Sequence, residues 1–227
     1  MGLFDIFKWD KQSEPKTALE RKTHTEKYLK SQGIPFIDHL PLIEEESEVK
    51  VRTPQEIAKR ILVLTYLNYV AEEPEENEKV VDFLKQQELW DSVSNDEIQF
   101  FTNNLTDHDK VNISWRTEAI WLLLWTINQV DELDLPVEQV EISKILNLLP
   151  DFMIDTSEFV ATATSRTASE ILDISDLTYR LHWATRQGEL DKSETLNLNS
   201  SILVERHYAI NWVTYYDENW DDITTDT

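Results

Sequence analysis

Two stretches of this sequence are apolar on nearly every face of a helix, and they limit the fold more than any other feature. The first, 114–125, ends in an unbroken apolar run at 119–125, and the second, 202–216, places apolar side chains on different sides of one helix. A helix that is apolar all round is buried all round, so both helices must lie at the centre of the protein. The sequence therefore predicts an all-α or mostly α fold, a multi-helix domain with two buried central helices.

Local signals predict where the other helices begin and end. Capping boxes of the form Ser/Thr-x-x-Glu, which satisfy the first backbone N–H groups of a helix, lie at 53–56, 94–97 and 167–170. The long helix after the third box is expected to end with Gly188 as its C-cap. A charged helix at 17–32 is predicted to lie on the surface and to stop at Gly33.

The N-terminal quarter of the chain differs from the rest. Residues 1–16 are predicted to form an amphipathic peg (1–9) and a linker (10–16). The peg either contacts a partner or membrane surface weakly, or folds back onto its own domain. The alternating sequence EVKVR predicts a small β-hairpin near 36–52. Residues 17–227 are expected to form one domain, with a second boundary left open at the acidic break near 71–93.

The charge of the chain restricts its partners. The sequence holds 21 Lys and Arg against 44 Asp and Glu, for a net charge of −23. Binding to phosphates favours a basic surface, so neither nucleic acid nor an anionic membrane is expected as a partner. A basic protein partner fits this charge, and so does a surface that is acidic only for solubility.

Composition also limits the chemistry. The chain has no cysteine and three glycines, none of them in a phosphate-binding loop. No cofactor is expected, and no histidine follows an acid at the spacing of a helical metal site, so no metal is expected either. A chain with no cysteine and no signal peptide is expected in the cytoplasm, and no apolar run approaches the roughly 20 residues that span a bilayer.

Opposite charges lie inside the first apolar helix and need partners. Arg116 and Glu118 are two residues apart, so on a helix they point about 200° apart and do not pair with each other. If Ser114 caps the helix, Arg116 also opposes the helix dipole. Each charge is therefore expected to find a partner on another element, because an unpaired buried charge is costly.

Two other apolar helices carry suitable groups. Arg180, His182 and Trp183 follow Asp176 in one helix, and Glu205 and Arg206 lie next to each other in the last. One interpretation is that these groups pair with one another and set the register of the helices. The other is that Arg116, Arg180 and Arg206 converge on a cleft near Trp121 and bind an anionic group, with the glutamates as ligand-binding or acid–base residues.

The end of the chain, WDDITTDT, combines acids with apolar residues. Trp220 and Ile223 provide apolar contacts, and Asp221 and Asp226 provide negative charge. If this tail packs onto the domain, its acids are expected to reach the arginines and occupy an anion site from within. The alternative is a frayed acidic tail.

Four motifs taken together resemble a known family. WRTEAIWLLLW, LDISDLTYRLHWATR, VERHYAINW and WDDITTDT, in this order, are similar to the bacterial domain of unknown function 4272, over about 20–227. The resemblance implies a mostly helical domain and carries no activity or catalytic residue.

Two hypotheses about function therefore stay open. The first is a non-catalytic cytoplasmic binding domain with an acidic face for a protein partner. The alternative is a site for an anionic small molecule, or a hydrolytic enzyme, built from an Arg/Glu/Trp cleft.

Overall fold

The computed structural model describes residues 15–103, 105–191 and 197–227. The predicted peg (1–9) and most of the linker (10–16) lie outside these residues. The described part contains nine α-helices and no strand, which confirms the mostly helical fold. The helices are α1 (Ala18–Ser31), α2 (Pro54–Glu72), α3 (Asn77–Gln86), α4 (Asn95–Thr102), α5 (Asp107–Thr126), α6 (Ile142–Leu146), α7 (Ser157–Thr162), α8 (Ala168–Leu190) and α9 (Ser200–Val213).

The predicted β-hairpin near 36–52 is wrong. This segment forms turns and extended chain, and its backbone groups pair with groups from helical elements instead of a second strand. The Lys22 ammonium group donates to the Asp38 and Leu40 carbonyls, and the Arg52 backbone N–H donates to the Val213 carbonyl at 3.0 Å. Alternation in EVKVR therefore reflects contact with helices on one side of an extended segment.

Helix starts follow the predicted caps more closely than helix ends do. All three predicted capping boxes are present, and two more begin α1 at Thr17 and α5 at Thr106. Because α5 starts at Asp107, Ser114 is not its cap, and Arg116 lies well inside the helix, away from the positive end of its dipole. The prediction for Gly188 is wrong, since α8 continues through it to Leu190 and the Asp191 N–H still donates to the Gln187 carbonyl at 2.9 Å.

The main core forms where α5 packs against α2 and α9, and α9 packs against α8. In α5, residues 117–126 are buried apart from the half-buried Trp121. Helix α8 is a further central helix, because every residue from 169 to 178 is buried although several are polar. Its Asp173 accepts from Arg21 Nε at 2.9 Å and from Lys16 Nζ at 2.5 Å, so this buried carboxylate is paired.

A second core lies between α2, α3 and α4. Leu67, Val70 and Leu84 are completely or almost completely buried in it. Helix α2 contributes one face to this core and another, with Ile57 and Ile61, to the main core. The division of the chain into residues 1–16 and one domain at 17–227 stays a prediction.

Candidate functional site

Glu118 of α5 and Arg206 of α9 form a buried ion pair. Arg206 Nε and Nη2 each lie 2.9 Å from Glu118 Oε2. The Glu118 side chain is 0% exposed and that of Arg206 is 8% exposed. The glutamate in the first apolar helix therefore has its partner on the second, as the pairing interpretation requires.

The same pair also binds a surface segment, which we call the acidic strap (residues 131–141). Glu118 Oε1 accepts a hydrogen bond from the Val140 backbone N–H at 2.6 Å. Arg206 Nη1 donates to the Asp134 carbonyl at 2.7 Å. Glu118 Oε1 and Arg206 Nη1 thus form hydrogen bonds with backbone groups of the strap. Such further bonds are what a buried ion pair requires.

Other side chains and one backbone group also hold the strap. Arg166 Nη2 donates to the carbonyls of Val130 and Asp131 at 2.8 and 2.9 Å. The Asn199 backbone N–H donates to the Pro136 carbonyl at 2.7 Å. Because the strap has no helix or strand of its own, these bonds define where it lies.

A cleft of about 430 Å³ lies between the strap and the helices, and we call it the apolar cleft. Its volume falls within the range of small-ligand pockets. The Arg206 side chain also lines it. The apolar lining comes from Tyr28, Trp121, Leu133, Leu135, Pro136, Val137, Val140, Ile174, Leu177, Leu181 and Leu203.

Negative charge surrounds this cleft. The strap sequence DELDLPVEQVE contains five acids and no Lys or Arg. Exposed Asp134, Glu138 and Glu141 line the cleft, and among the described residues that line it Lys144 and Arg206 are the two basic ones. Since Glu118 neutralises Arg206, the cleft offers an apolar floor and an acidic rim, which suits a group that is apolar with a positive charge next to it.

Arg116 pairs with Glu205 near the surface. Arg116 Nη1 lies 3.4 Å from Glu205 Oε2, and the two side chains are 26% and 13% exposed. Burial raises the pKa of Glu205, and the positive charge of Arg116 opposes this shift. The Arg116 guanidinium also lies 4.9 Å from the centre of the Tyr208 ring. An aromatic contact and an ion pair therefore both fix its position.

Arg180 pairs within its own helix. Its Nε and Nη2 contact both carboxylate oxygens of Asp176 at 2.8–3.1 Å, and Nη2 also donates to the Pro41 carbonyl at 3.1 Å. Both side chains are 0% exposed. Of the three predicted arginines, only Arg206 lines the apolar cleft, so the three do not converge there.

His182 and His207 form a buried pair between α8 and α9. Their Nδ1 atoms lie 2.9 Å apart, so one ring donates its N–H and the other accepts. Burial lowers the pKa of His182 to about 4 and that of His207 to about 3. Trp183, the next residue, is half-buried and packs against the main core.

The tail packs onto the domain through Trp220, which is 5% exposed. Its ring lies 4.1 Å from the Arg60 guanidinium, and its carbonyl accepts a hydrogen bond from the Tyr208 hydroxyl. The acids of the tail take other partners. Asp221 Oδ2 accepts from the Asp96 N–H at the start of α4 at 3.0 Å, and Asp226 Oδ2 accepts from the Thr224 hydroxyl at 3.3 Å.

The tail therefore meets arginines through its rings and carbonyls, and these are mostly not the predicted arginines. Arg52 Nη2 donates to the Asp217 and Glu218 carbonyls at 3.1 and 2.7 Å. Arg60 forms a buried ion pair with Glu97. A second cavity of about 550 Å³ adjoins the tail, where Arg52, Lys59 and Arg60 are balanced by Glu56, Asp91, Glu218 and Asp221.

Sequence reasoning missed the strap and these two arginines. The run of five acids without a base at 131–141 was an available signal for the strap. Arg52 and Arg60 gave no signal for their contacts with the tail, because their partners there are distant in sequence.

Metal centres and membrane-spanning helices are two further classes of site that the described part of the chain can be compared with. None of its His, Asp and Glu side chains form a group of three or more suited to a metal ion. None of its helices combines the length and apolar composition needed to cross a bilayer.

Comparison with known proteins identifies a family. Neither the curated proteins nor the solved structures include a match to this chain. A family model described as "Domain of unknown function (DUF4272)" matches residues 21–223, which include all nine helices except the first turn of α1. The resemblance carried by the four sequence motifs is therefore confirmed, and the chain belongs to the DUF4272 family.

Proposed function

We propose that this protein is a non-catalytic binding domain, and that its apolar cleft takes an apolar side chain from a basic segment of a partner protein. The observation that carries the proposal is the pairing of a buried apolar floor with a strap that holds five acids and no base. A partner segment with Lys or Arg beside Leu, Ile or Phe satisfies both features at once.

The surroundings of the cleft support a protein partner. Helix α6 follows the strap directly and exposes Ile142 and Leu146, which are 43% and 52% exposed and one helical turn apart. Apolar side chains are therefore exposed immediately after the strap in sequence, as expected for contact with a peptide segment larger than one side chain. The net charge of −23 would speed the approach of a basic partner, and we place this binding in the cytoplasm.

The alternative, an anionic ligand or hydrolysis in an Arg/Glu/Trp cleft, has less support. Arg206 is occupied by Glu118, Arg180 by Asp176, and Arg116 contacts Glu205. An incoming anion would have to displace a carboxylate that is already in place, which removes most of the gain.

The test uses synthetic 14-residue peptides and isothermal titration calorimetry. A peptide with Lys and Leu at helical spacing should bind, and the affinity should fall as salt rises because the contact is partly electrostatic. Peptides in which Glu replaces Lys, or Ser replaces Leu, should not bind. Equal binding of all three, or of none, would refute the proposal.

A matched pair of variants locates the binding. Asp134→Asn, Glu138→Gln and Glu141→Gln together remove three charges from the rim of the cleft. Glu72→Gln, Glu73→Gln and Glu75→Gln remove the same charge from an exposed stretch elsewhere. Only the first set should weaken binding, by about tenfold or more; equal losses would mean that the peptide senses net charge alone.

A further inference from the structure

The Glu118–Arg206 pair does more than join two helices. Its bonds reach the strap at two points six residues apart, the Val140 N–H at 2.6 Å and the Asp134 carbonyl at 2.7 Å. Both bonds go to backbone groups of the strap and not to α5 or α9, so the pair connects a third segment to the two helices. Both residues are nevertheless almost completely buried behind the strap.

We infer that Glu118 and Arg206 are positioning residues: their hydrogen bonds hold the acidic strap where it forms one wall of the apolar cleft. This inference rests on the proposed function, since it names the residues that prepare that binding site. The two strap bonds lie on either side of Pro136 and Glu138, so the part of the strap that lines the cleft is held at both ends. Fixed backbone of this kind lowers the ordering cost of binding.

A second buried pair provides a matched control. Asp176 and Arg180 are equally buried and lie on α8, which supplies Ile174, Leu177 and Leu181 to the same cleft. Their hydrogen bonds run to each other and to the Pro41 carbonyl, Arg180 Nη1 also lies 3.8 Å from Glu26 Oε1, and none of these contacts between described residues reaches the strap. Loss of this pair should therefore affect stability without moving the strap.

The experiment replaces each pair by apolar residues of similar size, so that no buried charge is left unpaired. The variants are Glu118→Leu with Arg206→Met, and Asp176→Leu with Arg180→Met. Two quantities are measured on the full chain: hydrogen exchange of the backbone amides at 131–141, and calorimetric binding of the Lys/Leu peptide.

In the Glu118/Arg206 variant we expect exchange at Val140 to accelerate by about tenfold or more, and peptide affinity to fall by about tenfold or more. Both should stay unchanged in the Asp176/Arg180 variant. Unchanged strap exchange would overturn the inference whatever the peptide does. Faster exchange with undiminished binding would show that the strap needs no positioning for binding, and would overturn it too.

Failure of the proposed function has a different signature. If the unmodified protein does not bind the peptide, the proposed function fails, and the hydrogen exchange still decides whether the pair positions the strap. If the double variant does not fold, Arg206→Lys serves instead, because it keeps the charge opposite Glu118 and loses the planar fork that reaches Asp134. Its Val140 exchange should remain slow, while exchange in the strap nearer Asp134 should accelerate; no change there would overturn the inference.

Discussion

Acidification should destabilise this protein through the His182–His207 pair. The pKa of His182 is lowered to about 4 by burial and by Arg186, and that of His207 to about 3 by burial and by His182. An unfolded histidine has a pKa of about 6.5, so below that pH the unfolded chain binds more protons than the folded one. The free energy of unfolding must therefore fall as the pH drops from about 6.5 toward 4, and it gains nothing from this pair above about 7.5.

The size of the effect follows from the pKa shifts. At pH 5 both rings remain neutral in the folded protein, whereas nearly all unfolded chains carry a proton on each. Linkage gives about 2 kcal/mol per histidine between pH 8 and pH 5, or about 3 to 4 kcal/mol for the pair. Such a loss is a large part of the 5–15 kcal/mol that stabilises a typical domain.

Urea unfolding followed by tryptophan fluorescence at pH 5.0, 6.0, 7.0 and 8.0 measures this loss. The comparison is with His182→Gln/His207→Gln, which keeps a hydrogen-bonding pair without titrating rings. Burial also shifts the pKa values of Glu205 and His24. Both residues are present in the two proteins, so their contributions to the pH dependence cancel in the comparison. Parallel pH curves for the protein and the double variant would refute the reasoning.

Three further predictions concern stability and are measured by urea unfolding at pH 7.5. Leu203→Ala, at 1% exposure, should cost about 2–5 kcal/mol because it leaves a cavity under the cleft, and a loss below about 1 would contradict close packing there. Asp173→Asn leaves Arg21 buried without its charge partner and should cost about 3–5 kcal/mol. Lys79→Gln, in an exposed pair, should leave the free energy of unfolding nearly unchanged, so equal costs would refute the distinction by burial. Thr53→Ala removes the cap of α2 and should cost about 1 kcal/mol, and an unchanged free energy of unfolding would contradict a role for this cap.

Local chemistry made several features predictable. A capping box acts within four residues, so the starts of α2, α4 and α8 followed from the sequence. An unbroken apolar run predicts burial wherever it lies in a helix. In α5 the run at 119–125 is buried, with Trp121 half-buried. The need of Glu118 for an outside partner also followed, because the geometry of a helix separates it from Arg116.

Other features depended on contacts between distant parts of the chain. Alternation at 48–52 is compatible with a strand, but without a second strand nearby the segment met α9 through Arg52 instead. Gly188 permits a helix to end without forcing it to, and α8 continued. Asp221 of the tail meets the N-terminus of α4, a contact that only the fold decided, whereas Asp226 accepts from Thr224 two residues before it.

The sequence by itself determined a mostly helical protein with buried charges that had to pair, because periodicity, caps and desolvation act through nearby residues or through residue type alone. Only the tertiary structure decided which charges met between helices, Glu118 with Arg206 and Arg116 with Glu205, whereas Asp176 and Arg180 meet four residues apart within α8. It also placed the acidic strap over an apolar floor drawn from α5, α8 and α9, since the chain must fold before residues so far apart in sequence can line one cleft.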